Sequence, residues 1–431
     1  MGHMAMKDLY GRVGEKLDSL EARAPMSKEL YEILKEIFTE TEAEIFCTMP
    51  YGMSSKRRIA KITGIEEHVM DKHLREMSSK GLVLDMFING ESHYSPSPMV
   101  IGIFEFTMMR VDGSVNSKKM AKLFHHYLQD GSFFTTNLRD GGVVGPLRTM
   151  LYEESLRNGE LTEVLDYEKA SELIEHSSRF AVGLCSCRHE KHHTGDKKCD
   201  IKLDTCTTFD MGADMMIRNG LANEVPKEMV LENLSYSREN GLIVLADNVQ
   251  KNVFFICHCC GCCCNALLGI TKFGYPNSVV SSNYISHIDK EKCISCGDCV
   301  DTCPIDAISL ADTSPGETPS INEEYCLGCG VCAINCSNEA LSMIKRAKRV
   351  LHPECTFERI ILQCLERGTL QNQLFDDQSR ITMKYLSGFV GGFLRLTPVK
   401  KALMSDLLRS NFLSMMKAGI KMQGKGWLLE L

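Results

Sequence analysis

Eighteen of the chain's 21 cysteines lie between residues 185 and 336, in four tight groups, and this crowding constrains the fold more than any other feature. Disulfides explain it poorly. The count is odd, and neighbours such as Cys262, Cys263 and Cys264 cannot pair locally without severe strain. No apolar stretch approaches the ~20 residues of a bilayer span, and the start lacks the basic-then-apolar layout of a signal peptide. Met1-Gly2-His3 reads as a vector-derived scar. A reducing cytoplasm is therefore expected, where thiolates that hold metal are the better explanation. Cys47, Cys355 and Cys364 stand alone and read as small buried hydrophobes.

The strongest motif is CISCGDCVDTCP, with Cys293, Cys296, Cys299 and Cys303, followed by CLGCGVCAINCS, with Cys326, Cys329, Cys332 and Cys336. Both have the C-x2-C-x2-C-x3-C spacing of two-cluster bacterial ferredoxins, in which the fourth cysteine ligates the other cluster. One [4Fe-4S] cluster should then use Cys293, Cys296, Cys299 and Cys336, the other Cys326, Cys329, Cys332 and Cys303. Zinc, which favours isolated C-x2-4-C pairs, fits this duplicated pattern badly. Ser337 stands where a proline is usual, a change expected to tune the loop and not to abolish binding.

Ten further thiols form a less regular set: Cys185, Cys187, Cys199 and Cys206, then Cys257, Cys259, Cys260, Cys262, Cys263 and Cys264 in CHCCGCCC. They arrive at the ends of segments that read as neighbouring strands. Alternate residues of a strand face the same way, so Cys185 and Cys187 are expected to share one site, while adjacent Cys259 and Cys260 should diverge toward two. Eight ligands would fill two more [4Fe-4S] clusters. One larger cluster, an open iron site and mononuclear zinc stay open as alternatives. His189, His192, His193 and His258 are interleaved with these cysteines, and the 189–193 stretch reads as a solvated polar loop. Arg188, next to Cys187 in the chain, is expected to stabilise a negatively charged cluster electrostatically.

At 44% hydrophobic and 24% charged residues, the chain is globular rather than disordered, and 431 residues suffice for two to four domains. The expected class is α+β. Residues 7–98 read as a winged-helix-like region: a capping box at Thr39-x-x-Glu42, a serine cap at Ser54 or Ser55, an amphipathic helix over 66–80, and a hairpin turning at Asn89-Gly90. Residues 99–284 read as a mixed α/β domain carrying the irregular cysteines, with 100–106 and 180–184 strand-like. Residues 285–346 are the two-cluster module. Residues 347–431 read as basic amphipathic helices, with an apolar stripe through Phe393, Leu396, Val399, Leu403, Leu407, Leu408, Phe412, Leu413 and Met416. From Ser379 to Gly426 nine basic residues face one acid, Asp406, which suits an acidic partner or an anionic membrane surface, although core packing or a subunit contact is the stronger reading. The helix over 66–80 carries four acids against three bases and the hairpin has no Lys or Arg, so nucleic acid is a poor partner for this region.

The order of a winged-helix-like region, CxCR…C…C, CxCCxCCC and a two-cluster module resembles a family of multi-cluster 4Fe-4S binding proteins of anaerobic bacteria known as ferredoxin-type proteins. The resemblance covers residues from about 7 to 345, and the cysteine order is its specific part. It implies electron transfer between redox proteins, with no settled substrate, and in its pattern the position of Cys262 is the variable one. No G-x-G-x-x-G follows a strand and no P-loop is present, so electrons are expected to enter and leave through other proteins. Two further readings stand beside the carrier: an oxidoreductase whose irregular cluster binds substrate, and a redox-sensing winged-helix regulator. A cytoplasmic location, a peripheral place at the inner membrane face and a homo-oligomer all remain compatible with the sequence.

Overall fold

The computed structural model describes residues 8–139, 142–156, 164–310, 318–350, 352–377 and 380–431. The scar at residues 1–3 and Ser379 lie outside the described residues. The chain mixes helix and sheet and gathers into two compact units: Met1–Val144 with Met215–Leu221 and Glu354–Leu431, and Gly145–Asp214 with Ala222–Pro353.

In the first unit local signals become elements directly. The Thr39 hydroxyl accepts from the Glu42 amide, and the Glu42 carboxylate accepts from the Thr39 amide, which opens the helix Glu40–Thr48. Ser55 caps Lys56–Thr63, and Glu67–Ser79 follows. Strand Ser54–Ser55 pairs with Glu91–Pro96, which pairs with Val83–Ile88, all antiparallel. Asp85 on the hairpin is buried and accepts from Arg218 and Asn219 at 2.7 and 2.6 Å. Arg58 is held in a bidentate pair with Asp376 at 2.7–2.8 Å.

Two expectations for this unit are corrected. Residues 100–106 do not form a strand: Phe104–Met109 is a helix whose Phe104, Phe106, Met108 and Met109 are all buried. A segment apolar on every side carries no periodic signal to separate strand from helix. The C-terminal stripe is not one continuous face but three helices, Ile381–Leu394, Thr397–Met404 and Asp406–Met422, with Pro398 starting the second and Ser405 standing before the third. Leu394, Phe412 and Leu413 join the core with Val144, Ile361 and Leu365, whereas Phe393 and Leu407 are exposed. No helix among the described residues is long and apolar enough to cross a membrane. Cys355 and Cys364 are buried as expected, while Cys47 is only half-buried.

The second unit is built on a six-stranded antiparallel sheet in the order Leu147–Thr149, Ile243–Asp247, Phe255–Cys259, Asp204–Phe209, Phe180–Leu184, Ala222–Glu224. Helices Ala170–His176 and Lys227–Glu239 cover it through Ile174 and Val230, which pack with Phe180, Phe209, Val244 and Ile256. Strand Phe255–Cys259 runs into the cysteine motif, so Ile256 and His258 lie on one face and Cys257 and Cys259 on the other. Residues 284–345 add a second, smaller layer. Tyr284–Ile288 pairs with Leu341–Lys345, and Ile308–Ser309 pairs with Ser320–Ile321, around the short helices Asp298–Thr302 and Val331–Ile334.

A buried cation gives the first unit a pH signature. Lys16 donates to the carbonyls of Met49 and, at 3.4 Å, Cys47, and burial lowers its pKa to about 7 against the opposing pull of Cys47 and Asp376. Unfolded lysine titrates near ~10.4. Between those values the unfolded chain binds more protons, so this residue adds stability as pH rises from 7 to 10 and forfeits it as pH falls. In urea titrations, wild-type stability measured relative to Lys16→Met should rise by a few kcal/mol across that window and stay flat below it.

Candidate metal centres

The two-cluster module is folded so that its motifs cross. Cys293, Cys296, Cys299 and Cys336 line one cavity together with Ile288, Ile294 and Leu341. Cys303 instead lies with Cys326, Cys329 and Cys332, whose charges act on one another. Four soft sulfur donors around a largely apolar space is a donor set that suits a [4Fe-4S] cluster. Main-chain and hydroxyl groups reach the sulfurs. The Ala307 amide donates to Cys303 Sγ at 3.3 Å, and Ser286 Oγ lies 3.3 Å from Cys332 Sγ. Burial pushes the thiol of Cys332 up to about 12 despite that hydroxyl. Ionisation at neutral pH therefore falls to a bound metal, which displaces the proton.

The repeat is visible in the backbone. Asp306 and Glu339, three residues after the last cysteine of each motif, both have positive φ, and Ser295 occupies in the first motif the left-handed position that Gly328 holds in the second. Gly328 has a further reason. A Cβ there would stand 2.1 Å from the Tyr284 carbonyl oxygen, on the strand that closes the module.

The ten remaining thiols separate into two sets. Cys199, Cys260, Cys262 and Cys263 have all four sulfurs within 4.8 Å of one another. The second set is a chain of contacts from Cys206 to Cys257, Cys259, Cys264 and Cys187, with Cys185 beside Cys257 and Cys264. Strand alternation turns Cys257 and Cys259 one way. The turn that follows carries Cys260 to Cys263 into the other set, and Cys264, which precedes the helix Asn265–Thr271, returns to the first. Adjacent Cys259 and Cys260 thus diverge, as do adjacent Cys263 and Cys264. Cys262, the variable position of the resemblance, stands in the tighter set. Gly261 makes the turn possible: a Cβ would meet the Pro304 carbonyl oxygen at 2.1 Å, directly after Cys303.

Two expectations about this region change. Cys187 is not on a strand with Cys185. It lies in the first turn of the helix Ser186–Thr194, because the strand Phe180–Leu184 ends before the motif. The 189–193 stretch is not a solvated loop, since it lies on this helix with His189, Glu190 and Lys191 buried. His258 is held between two hydroxyls. Ser237 Oγ and Thr207 Oγ1 lie 2.6 and 3.3 Å from its two ring nitrogens, and burial, with Arg188 and Lys202, lowers its pKa to about 3.

Arg188 is fully buried between the two sets and not against Cys187. It donates to Cys260 Sγ at 3.5 Å, to Thr205 Oγ1 at 2.7 Å, to the Lys202 carbonyl at 2.9 Å and to the His258 carbonyl. Burial would lower its pKa, but Cys185, Cys260 and Cys259 raise it above the ordinary guanidinium value. Cys260 is pulled down to about 5, first by its hydrogen bond with Cys263 and then, against burial, by Arg188. A buried polar network was missed from the sequence. Lys191 Nζ pairs with Glu190 Oε1 at 2.6 Å and donates to Asn265 Oδ1 at 3.1 Å, while Asn265 Nδ2 donates to Glu190 Oε2 at 2.7 Å and reaches Cys187 Sγ at 3.8 Å. Its signal was present: Glu190 and Lys191 lie three and four residues after Cys187, on the same helix face.

The two regions share one core. Cys257, Cys259 and Cys264 pack with Cys303, Cys326 and Cys329 around Leu245, Leu267, Ile305, Ala307 and Leu327. Buried Tyr152 faces both Cys329 and Cys259 and donates to the Leu242 carbonyl at 2.8 Å.

Gly328→Ala combines a left-handed backbone with a clash against fixed main chain, and should destabilise the module by at least ~2 kcal/mol. Iron and acid-labile sulfide per chain should fall with it, while Gly388→Ala, at a position with open space, serves as the neutral control.

Residues 292–340 match the model of the 4Fe-4S dicluster domain. No curated protein and no solved structure matches the chain. The match and the clustered thiols together mark this as an iron–sulfur protein that carries a ferredoxin-type module.

Proposed function

We propose that the protein relays single electrons between partner redox proteins, entering or leaving at the 293–299 edge of the ferredoxin-type module and ending at the buried sulfur set around Cys257, Cys259 and Cys264. The observation that carries this reading is the common core: thiols of the module and of the irregular set line the same buried cluster. Bound in these places, [4Fe-4S] clusters supply one-electron transfer at potentials set by their surroundings.

The chain's own residues do the rest. Cys293, Cys296, Cys299 and Cys336 would hold one cluster, and Cys303, Cys326, Cys329 and Cys332 the second. Cys185, Cys187, Cys206, Cys257, Cys259 and Cys264 offer more thiols than one cubane needs, which suits a larger iron–sulfur centre. Of the 21 cysteines only Cys296 is exposed, beside Ile294, which is 64% exposed. That edge is where a partner could approach. Leu245, Leu267, Ile305 and Leu327 exclude water from the inner pair of sites, and Arg188 offsets the negative charge of ionised thiols there.

A regulatory use of the helix–hairpin region is less well supported. We read it as winged-helix-like and suited to protein contacts, because Asp85 and Arg58 are committed to internal pairs and the outer helix carries excess acid.

Protein purified without oxygen should carry at least about eight irons and eight sulfides for the module alone, with more for the irregular set. Dithionite reduction should give electron paramagnetic resonance signals broadened by coupling between neighbouring centres. Cys187→Ser should remove part of the iron and leave the module's own signal. Colourless protein without acid-labile sulfide would end this reading.

A further inference from the structure

We infer that Cys199, Cys260, Cys262 and Cys263 form a closed tetrahedral site for a single Zn²⁺ ion, in place of the further cubane expected from counting thiols. Spacing decides between the two. Sulfurs held about 2.3 Å from one ion at tetrahedral angles lie about 3.8 Å from each other. In a cubane each thiolate hangs outward from its own iron, so neighbouring sulfurs stand roughly 6 Å apart. Here the separations are 3.6 Å for Cys199–Cys260, 3.9 Å for Cys199–Cys263 and 3.4 Å for Cys262–Cys263, with all four sulfurs inside 4.8 Å. These distances bracket the single-ion value. To admit a cubane these sulfurs would have to move apart by about 2 Å.

The contrast is internal to the molecule. Among the described residues no other group of three or more Cys, His, Asp or Glu ligand atoms is so compact. Cys293, Cys296, Cys299 and Cys336 instead line a cavity together with Ile288, Ile294 and Leu341, and form no such compact quartet.

Local geometry agrees. Cys260-x-x-Cys263 is a tight turn in which the Cys263 and Cys264 amides donate to the Cys260 carbonyl at 3.4 and 3.2 Å. The Ile201 amide donates to the Cys199 sulfur. Three of the ligands, Cys260, Cys262 and Cys263, come from this one turn and the fourth, Cys199, from a distant loop, a closed all-cysteine set of the kind that holds structural zinc. Four thiolates around a dication leave two negative charges, and buried Arg188, 3.5 Å from Cys260 Sγ, balances one of them. Ile201, Leu242 and Tyr236 enclose the set. The ion would tie the loop at 199–201 to the turn at 260–263. Zinc has no redox chemistry of its own, so this set stands outside the electron path and serves to shape it.

The test is metal analysis and zinc-edge X-ray absorption on the full chain, purified without oxygen, for wild type and for Cys199→Ser/Cys263→Ser. Wild type should hold one zinc per chain with four sulfur neighbours at about 2.3 Å. The double variant should lose that zinc and keep its iron and sulfide. A loss of about four irons and four sulfides in the variant would overturn the assignment in favour of a cubane. The wild-type spectrum needs no variant to fold: absent zinc, or zinc bound through nitrogen or oxygen, would overturn it equally. The relay reading fails on sulfide content and this one on zinc and its neighbours, so the two failures are distinguishable.

Discussion

Ionised sulfur in a low-dielectric interior is the constraint around which the second unit is arranged. Several thiolates within a few ångströms repel one another and lose hydration, so each must find a metal, a donor or a cation. The buried guanidinium of Arg188 answers this for Cys260, and main-chain amides answer it for Cys199 and Cys303. The antiparallel sheet supplies the rigidity. Cys206 sits opposite Gly183 and Cys257 opposite Leu245, so the register of four strands sets where these sulfurs stand.

A second consequence follows from the buried ion pair of Lys191 and Glu190. A paired charge in the interior contributes little net stability, because its desolvation offsets its attraction. It does fix orientation. With Asn265 as the third member, the pair ties the helix after Cys185 to the helix after Cys264, two elements that adjoin ligand candidates from distant parts of the chain.

Legibility from sequence followed the range of each interaction. The spacing of the two ferredoxin-type motifs is local, and their crossed grouping could be read before any coordinates. The divergence of Cys259 from Cys260 was also legible, because a strand alternates its side chains. What failed depended on neighbours distant in sequence. Cys187 looked strand-borne because nothing nearby marks the end of Phe180–Leu184, and the histidine-rich stretch looked solvated because its packing partner, Asn265, lies more than seventy residues on. The division of ten thiols into six and four was illegible for the same reason: Cys199 joins Cys260 only through tertiary packing.

The segment from Cys257 to Cys264 visits one sulfur set, crosses to the other and comes back, and each crossing occurs between chain neighbours. Its length is therefore a structural dimension, as the distance between two posts fixes a crossbeam. A residue inserted between Cys260 and Cys263 would reverse the aim of a side chain and disturb both sets together. By contrast, only the loop at 195–198 separates the helix that carries Cys187 from Cys199, and that loop can change length while the two ends stay anchored.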